Sequence, residues 1–278
     1  MMDGLPALGV GLGFRPPLKA AIFRRRDQID FLEITLDHYL EAPPEKMHEL
    51  DLLIEHFPLV AHGLDLSLGS AEGLDQRYLD QIAALIEKMD PPWWSEHVAF
   101  TRAGGVEIGH LAPLPFTEEA LDALCRNIET AQRTIPRPLI VENITYPLAL
   151  GAAEMSEAAF LAKLGERSGC GLLLDATNLF INSERWGYDP AEFLATIPCE
   201  GVVQLHFVGA ERSGDGWADS HRRPVNEEVW QVLERVLASC PAKGAILERD
   251  ADFPQFDDLL GELQRAREIG GRYGRWET

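Results

Sequence analysis

The chain is short of cysteine, of positive charge and of long apolar runs, and each shortage removes a class of protein. Its 278 residues hold four cysteines, Cys125, Cys170, Cys199 and Cys240, with no Cys-x-x-Cys pair. That argues against a thiolate zinc site or a disulfide framework and fits reduced thiols in the cytoplasm. Lys and Arg number 25 against 45 Asp and Glu, a net charge of −20. A surface of that sign repels phosphate backbones, so general nucleic-acid binding is disfavoured. No stretch reaches the roughly 18 apolar residues that a membrane-spanning helix needs. The opening MMDGLPALGVGLGF lacks the basic segment and apolar helix of a secretory signal. No Gly-x-Ser-x-Gly motif occurs. The glycines from Gly9 to Gly13 lack both the Gly-x-Gly-x-x-Gly spacing and a Walker lysine. They read better as a glycine-lined strand than as a phosphate loop.

What is present is an alternation. Short continuous apolar runs, the mark of strands buried on both faces, fall at Leu8–Phe14, Phe31–Leu36, Leu59–His62, Trp93–His97, Leu139–Asn143, Gly171–Asp175, Val202–Phe207 and Gly244–Glu248. Helical stretches separate them near Leu18–Gln28, Glu45–His56, Asp75–Lys88, Glu118–Arg133, Glu157–Arg167, Pro190–Thr196, Glu227–Leu237 and Phe253–Ala266. Thr117 and Ser156 stand where helix caps belong, each followed by an acid at the positive helix end. Eight strands alternating with eight helices predict an α/β fold of the (β/α)₈ (TIM) barrel type, rather than an open doubly wound sheet. Such a barrel takes about 250 residues, so residues 1–278 are expected to form one domain.

Nearly every strand ends in an acid or an imidazole. The ends carry His62, Glu96-His97, Glu142-Asn143, Asp175, His206 and Glu248, with Asn178 and Asp219-Ser220-His221 in the segments that follow. Barrel chemistry sits at the C-terminal strand ends, so these residues are expected to meet. Adjacent strand residues face opposite ways. His97 is therefore assigned to the interior, and Glu96 to an ion pair or a supporting contact. Glu142 and Asp175 follow wholly apolar runs, and a buried carboxylate without a partner is costly, which points to a metal. Asn178 is either a ligand or an Asn-stabilised turn. The expected ligands are His62, His97, Glu142, Asp175, Asn178, His206, Asp219, His221 and Glu248, enough for two or three six-coordinate cations. Imidazole and carboxylate without thiolate favour Fe or Mn, with Zn possible, over Mg or Ca. Glu142, Asp175 and His206 form the expected catalytic core. His38, His48, His56 and His110 read as helix or loop residues.

In order along the chain, GVGLGFRPP, FLEIT, HG…LSLGS, SEH at Ser95–His97, LAPLPFTEEAL, VEN, CGLLLDATN, QLHFVG, DSH at Asp219–His221, PV…VW at Pro224–Trp230 and LERD occur together. In this order the chain resembles, nearly end to end, the multinuclear non-haem iron-dependent oxidative enzymes. The resemblance implies a xylose-isomerase-like barrel with two or three irons in mixed Fe(II)/Fe(III) states. It implies dioxygen as co-substrate and a residue, often cysteine, of a ribosomally made precursor peptide as target. The family's metal ligands match the nine residues named above. Two positions depart from the family pattern: Thr177 replaces the middle amide of its sixth-strand motif, and Ala210 stands where a second histidine often follows the seventh strand. No separate recognition domain is visible, so a partner protein that holds the leader peptide is expected. Two alternatives stay open. One is a metal-dependent sugar isomerase or phosphodiesterase-type hydrolase on the same barrel, and the other is a metal-binding subunit without activity.

Overall fold

The computed structural model describes residues 2, 4–151, 153–214 and 216–276, and all eight expected strands are present as one closed parallel barrel. The one-domain expectation over 1–278 therefore reaches a few residues beyond those described. The wall begins with β1 (Gly9–Gly13), β2 (Leu32–Thr35), β3 (Leu59–His62) and β4 (Trp94–His97). A hairpin of β5 (Phe100–Ala103) and β6 (Val106–Ala112) then leaves it. It resumes with β7 (Leu139–Glu142), β8 (Gly171–Asp175) and β9 (Val202–Phe207). A second hairpin, β10 (Gly209–Ser213) and β11 (Gly216–Arg223), precedes the closing strand β12 (Gly244–Leu247). The barrel strands pair in chain order, and β12 closes on β1.

The helices are α1 (Lys19–Arg24), α2 (Pro44–His56), α3 (Gln76–Met89), α4 (Glu118–Thr134), α5 (Glu157–Ser168), α6 (Ala176–Trp186), α7 (Pro190–Thr196), α8 (Glu227–Ser239) and α9 (Phe256–Arg272). The caps expected from sequence form: Thr117 Oγ1 accepts from the Ala120 amide and Ser156 Oγ from the Ala159 amide, each at 3.2 Å. Three stretches differ from expectation. The first helix is broken, because Pro16 and Pro17 open it as a tight 3₁₀ turn and the chain turns again at Arg26–Gln28. The last helix starts after Pro254 and runs on to Arg272. The segment after β8 is not a turn but α6, which begins with no loop because Asp175 itself is the cap. Its Oδ1 accepts from the Asn178 amide at 2.7 Å.

Alternation decides what the barrel holds. Phe31, Val60, Trp93, Ile140, Leu173, Val203 and Ile246 plug its N-terminal half. Two residues further along most strands, the interior turns polar. The glycines of β1 belong to the plug: a Cβ on Gly11 would stand 2.3 Å from the Phe31 carbonyl oxygen. Close packing, not phosphate binding, explains that glycine run. The cysteine expectation meets one spatial surprise. Cys199 and Cys240 precede neighbouring strands, and their free thiols lie 2.6 Å apart at the N-terminal end.

Candidate metal centre

Strand periodicity carries His62, His97, Glu142, Asp175, His206 and Glu248 to the same end of the barrel, and all six are buried. His97 Nε2 lies 3.4 Å and His62 Nε2 3.7 Å from Glu142 Oε2. The other oxygen, Oε1, lies 3.2 Å from His206 Nδ1, which is itself 3.1 Å from Glu248 Oε2. Two groups result. His62, His97 and Glu142 form one, Glu142, Asp175, His206 and Glu248 the other, and each could hold a metal ion. Glu142 belongs to both. Glu96 faces outward, where its oxygens accept from the Leu66 and His97 amides.

Several contacts orient these rings from behind. Trp93 Nε1 donates to Gln204 Oε1 at 2.6 Å, which fixes the amide so that Gln204 Nε2 donates to Glu33 Oε2. Glu33 Oε2 also lies 2.9 Å from His206 Nε2. An imidazole that donates from Nε2 to a carboxylate keeps its Nδ1 lone pair for a cation. Likewise, Ser95 Oγ holds His62 Nδ1 at 2.7 Å and turns Nε2 inward. Sequence reasoning missed Glu33, although an acid inside the apolar strand FLEIT carries the same burial cost that singled out Glu142.

Outside this buried layer lies a cavity of about 460 Å³, lined by Asn178, Asp219, His221, Glu248 and Asp250 among others. The second hairpin delivers Asp219 and His221. Its register skips between Gly209 and Ala210, so Ser220–Arg222 bulge out and His221 adopts a left-handed φ of 51°. That bend brings His221 Nε2 to 2.7 Å from Asp219 Oδ2 and Nδ1 to 3.0 Å from Asp250 Oδ2. Two further residues reach this cavity that spacing did not single out. Arg15 pairs with Asp250 at 2.6 Å and Glu248 at 3.8 Å, and His38, exposed on a 3₁₀ turn, lines the wall. Of the two departures from the resemblance, Thr177 is structural. Its hydroxyl donates to the Val208 carbonyl and accepts from the Val208 amide, each at 2.9 Å. Ala210 is buried in the hairpin, its amide donating to Asn226 Oδ1.

The centre lacks counter-charge in the protein alone. His97 Nδ1, Glu142 Oε2, Asp175 Oδ2, Asn178 Oδ1, His206 Nδ1 and Asp219 Oδ1 are buried without a hydrogen-bond partner. Burial and the neighbouring Glu142 and Asp219 raise the Asp175 carboxyl far above its usual range. For His206, burial opposes protonation, but Glu248, Glu33 and Glu142 outweigh it and hold the ring charged. His97 behaves alike, pushed up to about 9 by Glu142, Glu96 and Glu248 against its burial. His62 goes the other way, held neutral by burial and by the two neighbouring imidazoles. Protons thus stand where cations would. Buried polar atoms without partners are rare in native proteins; those of Glu142, Asp175 and His206 lie in the donor layer and those of Asn178 and Asp219 at the cavity, which fits a metal-holding role.

Barrel and cavity together define a β/α enzyme fold with a candidate metal centre at its C-terminal face. The profile of the family described as "RiPP precursor modification enzyme MbnB/TglH/ChrH" matches residues 9–270. A UPF0276 protein of Caulobacter vibrioides is 37% identical over 272 residues, covering 97% of each chain. One from Streptomyces avermitilis is also 37% identical over 96% of this chain but only 56% of its own length, so that relative carries a further region. The chain belongs to this family of enzymes that modify ribosomally synthesised peptide precursors. Solved structures show the same xylose-isomerase-like barrel. The xylose isomerase domain protein of Planctomyces limnophilus has a TM-score of 0.60 at 12% identity, with 97% of this chain and 99% of that one covered. A D-psicose 3-epimerase has 0.56 at 11% identity, with coverage of 95% and 96%. At such identities the likeness concerns the fold.

Proposed function

We propose that this chain is an iron- and dioxygen-dependent oxidative enzyme, one barrel domain, that modifies a residue of a ribosomally made precursor peptide, with cysteine as the target. The observation that carries the reading is the pair of buried donor groups that share Glu142, with Glu142 Oε2, Asp175 Oδ2 and His206 Nδ1 buried and unpaired among them. His62, His97 and Glu142 would hold one iron, and Glu142, Asp175, His206 and Glu248 a second. Asp219, His221 and Asn178, on the cavity side, would hold a third. Nitrogen and oxygen donors without thiolate suit iron in both its ferrous and ferric states. When bound, such iron supplies a Lewis acid that lowers the pKa of a substrate thiol and a redox centre for O₂.

The protein's own part is orientation, charge and exclusion of water. Glu33 and Ser95 set the ring nitrogens. Arg15 offsets Glu248 and Asp250 at the cavity mouth. The apolar plug closes the barrel beneath, so substrate enters only from the strand-end side. The reading extends to a separate partner that holds the leader peptide and to a reducing cytoplasm, which four free thiols support.

Metal analysis with Mössbauer and EPR spectroscopy on protein purified without air tests this. Two or three irons per chain with a signal that changes on O₂ exposure are expected. Zinc or manganese alone, indifferent to O₂, would overturn it in favour of an isomerase or hydrolase.

A further inference from the structure

A second cavity, of about 390 Å³, lies beside the metal centre. Aromatic faces from Phe116, Tyr146, Trp186, Tyr188 and Phe193 line it. Tyr146 and Trp186 stack at 5.4 Å with 17° between planes, and Trp186 stays 41% exposed. Into this aromatic box points Glu157, the first residue of α5, which is only 7% exposed. The Tyr188 hydroxyl donates to it over a long 3.5 Å, and Tyr146 and Asn182 stand near it as further donors. Glu192 lines the box too, and no Lys, Arg or His does among the described residues.

A carboxylate buried among aromatic rings is costly to ionise, and neighbouring hydroxyls offset only part of that cost; a cation brought into the box would offset the rest. Here the walls are ring faces rather than imidazoles and acids. Ring faces attract organic cations, guanidinium above all, through their quadrupoles. Aliphatic Leu114, Leu148 and Leu150 suit the stem that carries such a charge. We infer that this cavity binds an arginine or lysine side chain of the peptide substrate, its charge against Glu157 and its stem against the aromatic and leucine walls.

The inference rests on the peptide-modification reading above, and the wall between the two cavities supports it. Glu142 stands in the metal layer, Ile144 and Thr145 line the first cavity, and Tyr146 lines the second. Four residues of chain span at most about 14 Å. An extended peptide lying across this wall would place its basic residue within about five positions of the one modified. The net charge of −20 favours such a peptide. Without a cation, burial pushes the Glu157 carboxyl up to about 8, against the hydroxyls of Tyr146 and Tyr188, so it waits in neutral form.

Calorimetric titration of the full chain with N-acetyl-arginine methylamide and its neutral isostere N-acetyl-citrulline methylamide tests this. N-acetyl-lysine and N-acetyl-norleucine methylamides form a second matched pair. The cationic member of a pair should bind at least tenfold more tightly than the neutral one. Glu157→Gln should remove that preference, and Trp186→Ala should weaken the cation while the circular dichroism spectrum is kept. Equal binding of charged and neutral compounds would make the cavity an apolar subsite and overturn the inference. So would no binding by either cation, or an unchanged preference in Glu157→Gln. Binding is read without turnover, so it stands or falls independently of the metal analysis: cation selectivity in a chain found to hold only zinc or manganese would leave this site standing while the oxidative reading failed.

Discussion

The two ends of one barrel use the same eight strands for opposite purposes. At the N-terminal end, seven apolar side chains from Phe31 to Ile246 interlock, and the one nearby amide, Gln204, is bonded on both sides. At the C-terminal end, two residues further along most strands, acids and imidazoles crowd together, with atoms of Glu142, Asp175 and His206 unpaired among them. The first end is satisfied by the protein alone. The second is satisfied only by something added to it. Inside the barrel, therefore, the plug adds to the stability that the larger core between strands and helices supplies, and function is where the folded chain carries an uncompensated cost.

Substitutions at matched depths should separate these roles. Glu142→Gln removes the carboxylate common to both donor groups and should abolish peptide oxidation, with at least one iron lost per chain by metal analysis. Leu173→Ala, on the neighbouring strand but in the plug, should keep its iron yet lose about 2–5 kcal/mol in denaturant unfolding, the usual cost of a core truncation. If Leu173→Ala lost iron and Glu142→Gln did not, the division between the ends would fail. Glu33→Gln tests whether the layer between them belongs to the upper end. It should weaken iron affinity about 10- to 100-fold, as losses behind a metal ligand do, with little change in unfolding of the metal-free chain.

Asp175→Asn should give opposite signs in two conditions. In metal-free protein it relieves a buried acid crowded by Glu142 and Asp219, so thermal stability should rise. With iron present the same variant should be the less stable, because bound ligand stabilises only the form that binds it. Glu157 lies outside both ends, and its substitution should leave metal content alone and show only in the pH dependence of stability. Its folded pKa, about 8, is above the usual 4.5. Between those values the folded state keeps a proton that the unfolded chain has lost. Stability should therefore fall as pH rises through that window, by up to about 1.4 kcal/mol per unit, and level off above it. Glu157→Gln should flatten that slope in urea unfolding measured across pH 5–9.

Much of the upper end is legible in the chain because strands obey a period of two. The order of apolar runs predicted all eight barrel strands, and alternation allowed only one of Glu96 and His97 inside, where the structure has His97. Asp175 was legible as a buried acid but not as a helix cap, since nothing in GLLLDATN announces a helix that starts without a loop. Glu33 was legible as a buried acid within FLEIT, but its role was not, because the ring it supports lies 173 residues away. The bulge that turns His221 back upon Asp219 depends on a register shift in a hairpin that the sequence showed only as a glycine-rich loop.

By itself, the sequence determined the alternation of buried strands and helices, and with it the barrel and the acid or imidazole at each strand end. These follow from local patterning, which any stretch of chain carries within itself. Only the tertiary structure decided which donors share an ion's space, which residues hold them in place, and that Glu157 faces an aromatic box rather than solvent. Those outcomes depend on distances across the barrel, and such distances are set when the eight strands close and pack, not by spacing along the chain.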